Sequence, residues 1–177
     1  MKISWRARVI RRITSRFVKG IDTSTVDQAH VADMRARLDK IARFLKRAFV
    51  VAVEATTVNG IYAEWLRPKK TSNGKVLLYL HGGAYLVGSR RTHRQMVSHI
   101  ARAGGVQALV PEYRLAPEHP FPAAIEDAVG VYQWLLANGF SADNIFIAGD
   151  SAGGGLTVAT LLELRHGGFP MPAAVVL

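Results

Sequence analysis

The spacing of apolar residues divides the chain into a helical N-terminal region and a longer region of mixed type. Residues 1–20 place apolar side chains at helical intervals among arginines, which predicts a basic amphipathic helix. A second amphipathic stretch runs from about residue 26 to residue 48, so residues 1–48 are predicted to be N-terminal helices. Their apolar positions are Trp5, Val9, Ile13 and Phe17 in the first stretch and Val31, Met34, Leu38, Ile41 and Leu45 in the second.

From residue 49 the spacing changes to that of β-strands. Two β-rich stretches are separated by Asn59-Gly60, a strong hairpin signal. Strands and helices then alternate, which predicts an α/β domain over residues 49–177 with a mainly parallel sheet flanked by helices. The predicted strands are 49–57, 61–67, 76–80, 106–110, 144–148 and a buried 173–177, and the predicted helices are about 92–103, 123–137 and 152–166.

Composition narrows the class of protein. Hydrophobic residues make up 49% and charged residues 20%, as in an ordinary globular domain, and the absence of cysteine excludes disulfides and thiolate metal sites. Of the 23 Lys and Arg residues, 13 lie in residues 1–50, with only four of the 13 Asp and Glu residues. The net charge of +10 therefore belongs to the N-terminal region, and a nucleic-acid partner is not expected.

Three interpretations of the basic segment 1–20 remain open. We favour a helix that packs on the rest of the protein; a helix bound to a membrane surface and an organelle transit peptide are the alternatives. A secretory signal is disfavoured because arginines interrupt any apolar core of the segment. No run of 18 or more apolar residues is present, so we expect no transmembrane helix and a cytoplasmic location.

The sequence Gly149-Asp150-Ser151-Ala152-Gly153 matches the G-x-S-x-G pattern of a nucleophile elbow. A predicted buried strand precedes it and a predicted helix follows it. Such a sharp turn leaves little room beside the serine, which explains Gly149, Gly153 and Gly154. The turn exposes the Ser151 hydroxyl and points the Ala152 N–H at a developing oxyanion. The alternative is a glycine-rich turn with a helix-capping serine.

A second motif, His81-Gly82-Gly83-Ala84-Tyr85, directly follows the predicted strand 76–80. Lipases and esterases with a nucleophile elbow place an HGGG-type loop there, and its small residues let backbone N–H groups approach the substrate oxygen. The predicted oxyanion hole therefore consists of Gly82, Gly83, Ala84 and Ala152. We expect His81 and Asp150 to support the site, with His81 propping the loop and not acting as the base.

Residues 81–85, 113–124 and 149–154 together resemble the hormone-sensitive-lipase family of esterases, over roughly residues 50–177. The resemblance implies a serine carboxylester hydrolase whose N-terminal helices cap the acyl pocket and whose substrates are small esters of short or medium acyl chains. It implies Ser151 as nucleophile and the N–H groups of Gly83, Ala84 and Ala152 as the main oxyanion donors. Ala84 departs from the family's third glycine, which narrows the pocket but keeps the donor.

The remaining polar residues are assigned structural roles. We expect Arg114, Glu118 and Asp127 to form a local ion-pair network. His93, His99 and His30 are expected to be surface or packing residues. No group of residues has the spacing of metal ligands, so neither a metal nor a cofactor is expected.

The acid and base of a catalytic triad are not found after the nucleophile. The only candidates there, Glu163 and His166, lie on the predicted helix 152–166 at roughly 18 and 22 Å along its axis from Ser151. The chain also ends inside a predicted strand. We therefore expect a fragment of a longer hydrolase, truncated at the C-terminus, that is itself inactive and poorly soluble. A non-catalytic small-molecule-binding relative and an amidase or peptidase on the same fold remain as alternatives.

Overall fold

The computed structural model describes residues 28–44, 51–72 and 74–177. The predicted basic helix of residues 1–20 lies outside them. Within the described residues strands and helices alternate after an initial hairpin, which confirms the α/β fold. The elements are α1 Gln28–Ala42, β1 Val51–Val58, β2 Ile61–Pro68, β3 Val76–Leu80, α2 Arg90–Gly104, β4 Gln107–Pro111, α3 Ala123–Ala137, a 3-10 turn Ala142–Asn144, β5 Ile145–Gly149, α4 Ala152–His166 and β6 Ala174–Val176.

The six strands form one mixed sheet in the order β1-β2-β4-β3-β5-β6. Strands β3 to β6 are parallel to one another, as predicted, but β1 and β2 add an antiparallel edge. The hairpin between β1 and β2 turns at Asn59 and Gly60, whose φ angles are 48° and 82°. Two successive positive φ angles match the right-handed twist of the flanking strands, which is why Asn-Gly marks this turn.

Strand β3 lies at the centre of the sheet and is buried along its whole length. Its side chains alternate between the two faces: Leu78 and Leu80 belong to a core shared with α3 and α4, and Leu77 and Tyr79 to a core shared with α2. Burial of each such leucine stabilises the fold by about 1.5–3 kcal/mol. The two cores hold β3 between β4 and β5. The loop 81–85 begins at the carboxyl end of β3, and the predicted nucleophile motif begins at the carboxyl end of the neighbouring β5.

Within these 177 residues the last strand is exposed, although its apolar sequence predicts a buried strand. The strand β6 has only three residues, it pairs with β5 alone, and all three residues are exposed. Its apolar composition resembles that of β3, but no described element lies on its outer side. An apolar strand becomes buried only where neighbours cover it, and the sequence of the strand itself does not reveal its position in the sheet.

The helix α1 buries only a small part of its predicted apolar face. Of the predicted apolar stripe only Val31 is fully buried, Met34 and Leu38 are half-buried, and Ile41 is 60% exposed. Leu45 lies outside the described residues. No helix in the part of the chain that the structure describes has the length and apolar character needed to cross a bilayer.

Arg35 makes most of the hydrogen bonds that join α1 to the rest of the described residues, and Asp39 adds one from the Ser89 hydroxyl at 2.8 Å. The Arg35 guanidinium donates to the backbone carbonyls of Leu86 and Ala116, each at 2.7 Å, and to both carboxylate oxygens of Glu118 at 2.9 and 3.0 Å. These bonds hold the pKa of Glu118 below its usual value. The helix therefore docks through charge-assisted hydrogen bonds as well as through Val31 and the half-buried part of the apolar stripe.

Candidate active site

The nucleophile motif forms a sharp turn between β5 and α4. Ser151 has φ 52° and ψ −120°. Residues other than glycine rarely adopt this backbone conformation, which costs about 1–3 kcal/mol. Its side chain is exposed and makes no capping hydrogen bond to α4. The alternative of a serine that merely caps the helix is therefore wrong.

Two of the three predicted small residues are required by space. A Cβ on Gly149 would overlap the backbone of Gly153, and a Cβ on Gly153 would overlap the carbonyl oxygen of Leu80. At Gly154 a Cβ would come no closer than 3.5 Å to any neighbouring atom, which is an ordinary contact. Gly149 and Gly153 therefore let the elbow press against the end of β3, whereas the turn does not need a glycine at position 154.

The loop after β3 also has an unusual backbone. The φ angles of Gly83, Ala84 and Tyr85 are 134°, 55° and 59°. The carbonyl of Gly83 accepts the N–H groups of Leu86 and Val87 at 3.0 and 2.9 Å, which closes the turn. A Cβ on Gly83 would overlap the backbone of Val87. The loop therefore keeps its fold through its own backbone bonds.

Three of the four predicted oxyanion donors are free to bind a ligand. Within the described residues no acceptor is found for the N–H groups of Gly83, Ala84 or Ala152. The prediction for Gly82 is wrong, because its N–H donates to Oδ1 of Asp150 at 3.0 Å. Ala84 has a φ of 55° despite its methyl group, and its N–H is among those without an acceptor in the described residues. Among the described residues these three N–H groups are thus available as donors, two on the loop after β3 and one on the elbow.

Asp150 joins the elbow to the loop after β3. Its Oδ1 accepts hydrogen bonds from the Tyr79 hydroxyl at 2.9 Å and from the Gly82 N–H. Burial, together with the negative charge of Asp150, raises the pKa of Tyr79, so this phenol remains a donor at physiological pH. The carboxylate of the residue before Ser151 is therefore bonded to β3 and to the start of the loop 81–85, which we call the oxyanion loop.

His81 is completely buried beneath the loop. Its Nδ1 lies 3.0 Å from the carbonyl oxygen of Gly82, its ring stacks on Tyr113 at a centroid distance of 4.3 Å, and its own carbonyl accepts the Tyr113 hydroxyl at 2.5 Å. Burial lowers the pKa of His81 to about 4. A neutral ring with Nδ1–H as donor to Gly82 suits this position, and no contact joins the ring to Ser151 in the described residues.

The ion-pair network predicted around Arg114 is correct in part. Its guanidinium contacts Asp127 at 2.8 Å and Glu126 at 2.9 Å, which raises the pKa of Arg114. Glu118 does not join it, because its carboxylate is bound to Arg35 of α1. The reason is tertiary: the predicted partners were chosen by their proximity in sequence, and the docking of α1 brings a different arginine to Glu118.

No base is found next to the nucleophile. All six histidines of the chain lie in the described residues, and none of them contacts the Ser151 hydroxyl. Glu163 and His166 lie near the far end of α4, as the helix length requires. Within the described residues no group of three His, Asp or Glu side chains has metal-binding geometry.

Sequence reasoning missed the position of His93. It was expected to be a surface or packing residue, and its ring does pack on His81 with 15% of the side chain exposed. The contact that was not expected joins its Nε2 to Oδ2 of Asp150 at 3.4 Å. The signal was the capping box Ser89–Thr92, which starts α2 at Arg90 and so places residue 93 in the first helical turn. That turn lies beside the loop after β3.

An apolar cavity of about 380 Å³ lies beside these loops. It extends between Tyr85 of the oxyanion loop, the segment after β4 and the face of α4 that carries Ala159. The Tyr85 hydroxyl lies 3.3 Å from the point where a Cβ on Gly155 would be, so Tyr85 forms the wall towards the elbow. Its other lining residues are Arg114, Ala116, His119, Phe121, Pro122, Ala124 and Ile125.

Comparison with known proteins agrees with the α/β fold. Residues 77–177 match a family described as having the alpha/beta hydrolase fold. An acetyl-hydrolase of Streptomyces hygroscopicus is 49% identical over 123 residues, which are 70% of this chain and 41% of that protein. An esterase of Acinetobacter venetianus is 33% identical over 144 residues, 81% of this chain and 47% of that protein.

Solved structures give the same picture. The crystal structure of an esterase from the bacterial hormone-sensitive lipase family superimposes with a TM-score of 0.85 at 44% identity, covering 99% of this chain and 57% of that one. The chain spans about half the length of the relatives that it matches. One of these relatives is named an acetyl-hydrolase and the other two are named esterases.

Proposed function

The chain belongs to the hormone-sensitive-lipase-like family of α/β-hydrolase fold proteins, and we propose that the whole protein hydrolyses carboxylic esters through Ser151. The observation that carries this proposal is the left-handed backbone of Ser151, which presents an uncapped, exposed hydroxyl beside free N–H groups. Strain of this kind persists where function requires it. A serine with a purely structural role has no need of it.

The reaction proceeds by acyl transfer. The oxygen of Ser151 attacks the ester carbonyl, and the carbonyl oxygen becomes an oxyanion that accepts hydrogen bonds from Gly83, Ala84 and Ala152. Collapse of this intermediate breaks the bond to the alcohol, which leaves with a proton, and an acyl group stays on Ser151. Water then attacks the acyl group and releases the carboxylic acid, which restores the serine.

Removal of the serine proton needs a base within about 3 Å of the hydroxyl or one water away. Because none of the six histidines contacts Ser151, and because the matched relatives are about twice as long, we assign the base and its acid to the whole protein beyond these 177 residues. The 177-residue chain alone should therefore hydrolyse esters negligibly.

The apolar cavity supports a small ester substrate. Its volume of about 380 Å³ is at the low end of ligand pockets, which run from roughly 300 to 1,000 Å³. Phe121, Ile125 and Ala159 give it an apolar lining suited to hydrocarbon, and Tyr85 borders it on the side of the elbow. A short or medium acyl chain fits this space better than a long one.

A second candidate, which the sequence leaves open, is a protein that binds small molecules without hydrolysing them. In such a protein the part beyond these 177 residues would supply no base to Ser151. The two candidates differ in what Ser151 does. In a binder, loss of the hydroxyl should leave ligand affinity nearly unchanged.

The test is hydrolysis of p-nitrophenyl acetate, butyrate and octanoate by the whole protein and by two serine variants. Ser151→Ala should abolish turnover while the melting temperature is kept. Ser72→Ala, which alters an exposed serine in the turn before β3, should leave turnover unchanged. Substantial turnover by a folded Ser151→Ala variant would show that the nucleophile is another residue. Absence of turnover in the parent, with unchanged ligand binding by Ser151→Ala, would favour the binder.

A further inference from the structure

Three groups converge on the carboxylate of Asp150, and the reaction proposed above uses none of them directly. Its Oδ1 accepts from the Tyr79 hydroxyl and the Gly82 N–H, and its Oδ2 faces Nε2 of His93 at 3.4 Å. Tyr79 lies on β3, Gly82 on the oxyanion loop and His93 on α2. Asp150, the residue before the nucleophile, thus contacts three elements of the site: β3, the oxyanion loop and α2.

The Asp150 carboxylate decides which nitrogen of His93 should carry the hydrogen. On the other side of the ring, Nδ1 lies 2.9 Å from the Thr92 hydroxyl, whose one hydrogen can point to Nδ1 or to the Ser89 carbonyl at 2.8 Å. Donation to Nδ1 leaves the hydrogen of a neutral ring on Nε2, where it faces Asp150. The other tautomer would direct the Nε2 lone pair at the carboxylate, which is repulsive.

We propose that His93 is a positioning residue that donates Nε2–H to Asp150 and thereby fixes the distance between the oxyanion loop and the Ser151 elbow. This inference rests on the function proposed for that site. Without the donor, Oδ2 of a carboxylate that is 40% exposed has no partner among the described residues, and the carboxylate is free to turn away from the Gly82 N–H.

The distance matters because the oxyanion donors come from both loops. The N–H groups of Gly83 and Ala84 lie on the loop after β3, and that of Ala152 lies on the elbow. If the Asp150–Gly82 hydrogen bond lengthens, the N–H groups of Gly83 and Ala84 move relative to the N–H group of Ala152. Such a shift weakens bonds to the oxyanion of the transition state more than contacts to the bound ester. The effect therefore falls on kcat and leaves KM nearly unchanged.

Two substitutions separate this hydrogen bond from the packing of the ring. The His93 ring stacks on His81 at a centroid distance of 5.4 Å. His93→Phe keeps an aromatic ring there but has no N–H, whereas His93→Gln returns an N–H near the position of Nε2. The matched control is His99→Phe, an exposed histidine on the same helix.

Kinetics of p-nitrophenyl ester hydrolysis by the whole protein give the first readout. We expect His93→Phe to lower kcat by roughly 10- to 100-fold, below the 10²–10³-fold loss typical of deleting an oxyanion donor. KM should change less than twofold, His93→Gln should recover most of kcat, and His99→Phe should match the parent. A His93→Phe variant with parental kcat, or a His93→Gln variant as impaired as His93→Phe, overturns the proposal.

Two nuclear magnetic resonance readouts on the whole protein do not depend on ester hydrolysis. The ¹⁵N resonances of His93 in the unmodified protein should show a protonated Nε2, and a lone pair there overturns the proposal even if no variant folds. Hydrogen exchange of the Gly82 amide should accelerate in His93→Phe and not in His99→Phe; equal exchange also overturns it. If the parent hydrolyses no ester, these two results still test His93 while the proposed function fails separately.

Discussion

Replacement of Gly153 by alanine tests whether the elbow is pressed against the end of β3. A Cβ at this position would overlap the Leu80 carbonyl oxygen and lie 2.8 Å from that of His81. Both atoms belong to the backbone, so neither can move without displacing the oxyanion loop from the elbow. Gly154→Ala is the matched control, since it lies on the same turn of α4 and its Cβ meets nothing closer than 3.5 Å.

The expected energies follow from these contacts. Overpacking of a rigid site costs about 1–3 kcal/mol, and backbone atoms place Gly153→Ala at the upper end. Alanine recovers up to about 1 kcal/mol of helix propensity at either position. Gly153→Ala should therefore lower the free energy of unfolding by about 2 kcal/mol, whereas Gly154→Ala should leave it unchanged or raise it by up to about 1 kcal/mol.

Urea denaturation of the whole protein, followed by tryptophan fluorescence, measures both variants. The transition midpoint should fall for Gly153→Ala alone, with an unchanged slope, and the same variant should lose ester hydrolysis because its two sets of oxyanion donors move apart. Equal midpoints for the two variants would refute the close approach of the elbow to β3.

Two further predictions concern stability. Because burial lowers the pKa of His81 to about 4, the unfolded chain binds a proton between pH 6.5 and 4 that the folded chain does not, so unfolding should become easier by up to about 3 kcal/mol as the pH falls through that range. Urea titrations should show this loss in the parent and not in His81→Phe; parallel pH profiles would contradict it. Arg35→Met should lower the free energy of unfolding by about 2 kcal/mol, because the carbonyls of Leu86 and Ala116 lose a charged donor. Arg37→Met, which breaks only an exposed i,i+4 pair on the same helix, should cost less than about 0.5 kcal/mol, and an equal effect of the two would argue against Arg35 as the anchor of α1.

The sequence predicted the parts of the fold that depend on local chemistry. The Asn59-Gly60 turn and the helices Ala123–Ala137 and Ala152–His166 were predicted within a residue or two, because turn residues and apolar spacing act over short distances. The place of each strand in the sheet was not predicted, since the order β1-β2-β4-β3-β5-β6 depends on contacts between residues far apart in the sequence.

In the site, too, the local motifs could be predicted and the contacts between distant residues could not. Two motifs, each after its own strand, indicated Ser151 and the loop after β3. Two contacts of Asp150 were not predicted: the one that occupies the Gly82 N–H and the one with His93. They join residues 68 and 57 positions apart, and the spacing of apolar residues along the chain gives no information about such distant pairs. The same reason explains the partner of Glu118, which comes from α1 and not from its own loop.

The central claim is that Ser151 is the nucleophile, and covalent labelling tests it most directly. The whole protein is treated with a fluorophosphonate, digested with trypsin and analysed by mass spectrometry. Ser151 and Ser141 fall in the same tryptic peptide, residues 115–165, so fragmentation must assign the label and Ser141 serves as an internal control. We predict one adduct, on Ser151, that disappears in Ser151→Ala together with ester hydrolysis. An adduct on another residue, or hydrolysis that persists while Ser151 stays unlabelled, would contradict the account.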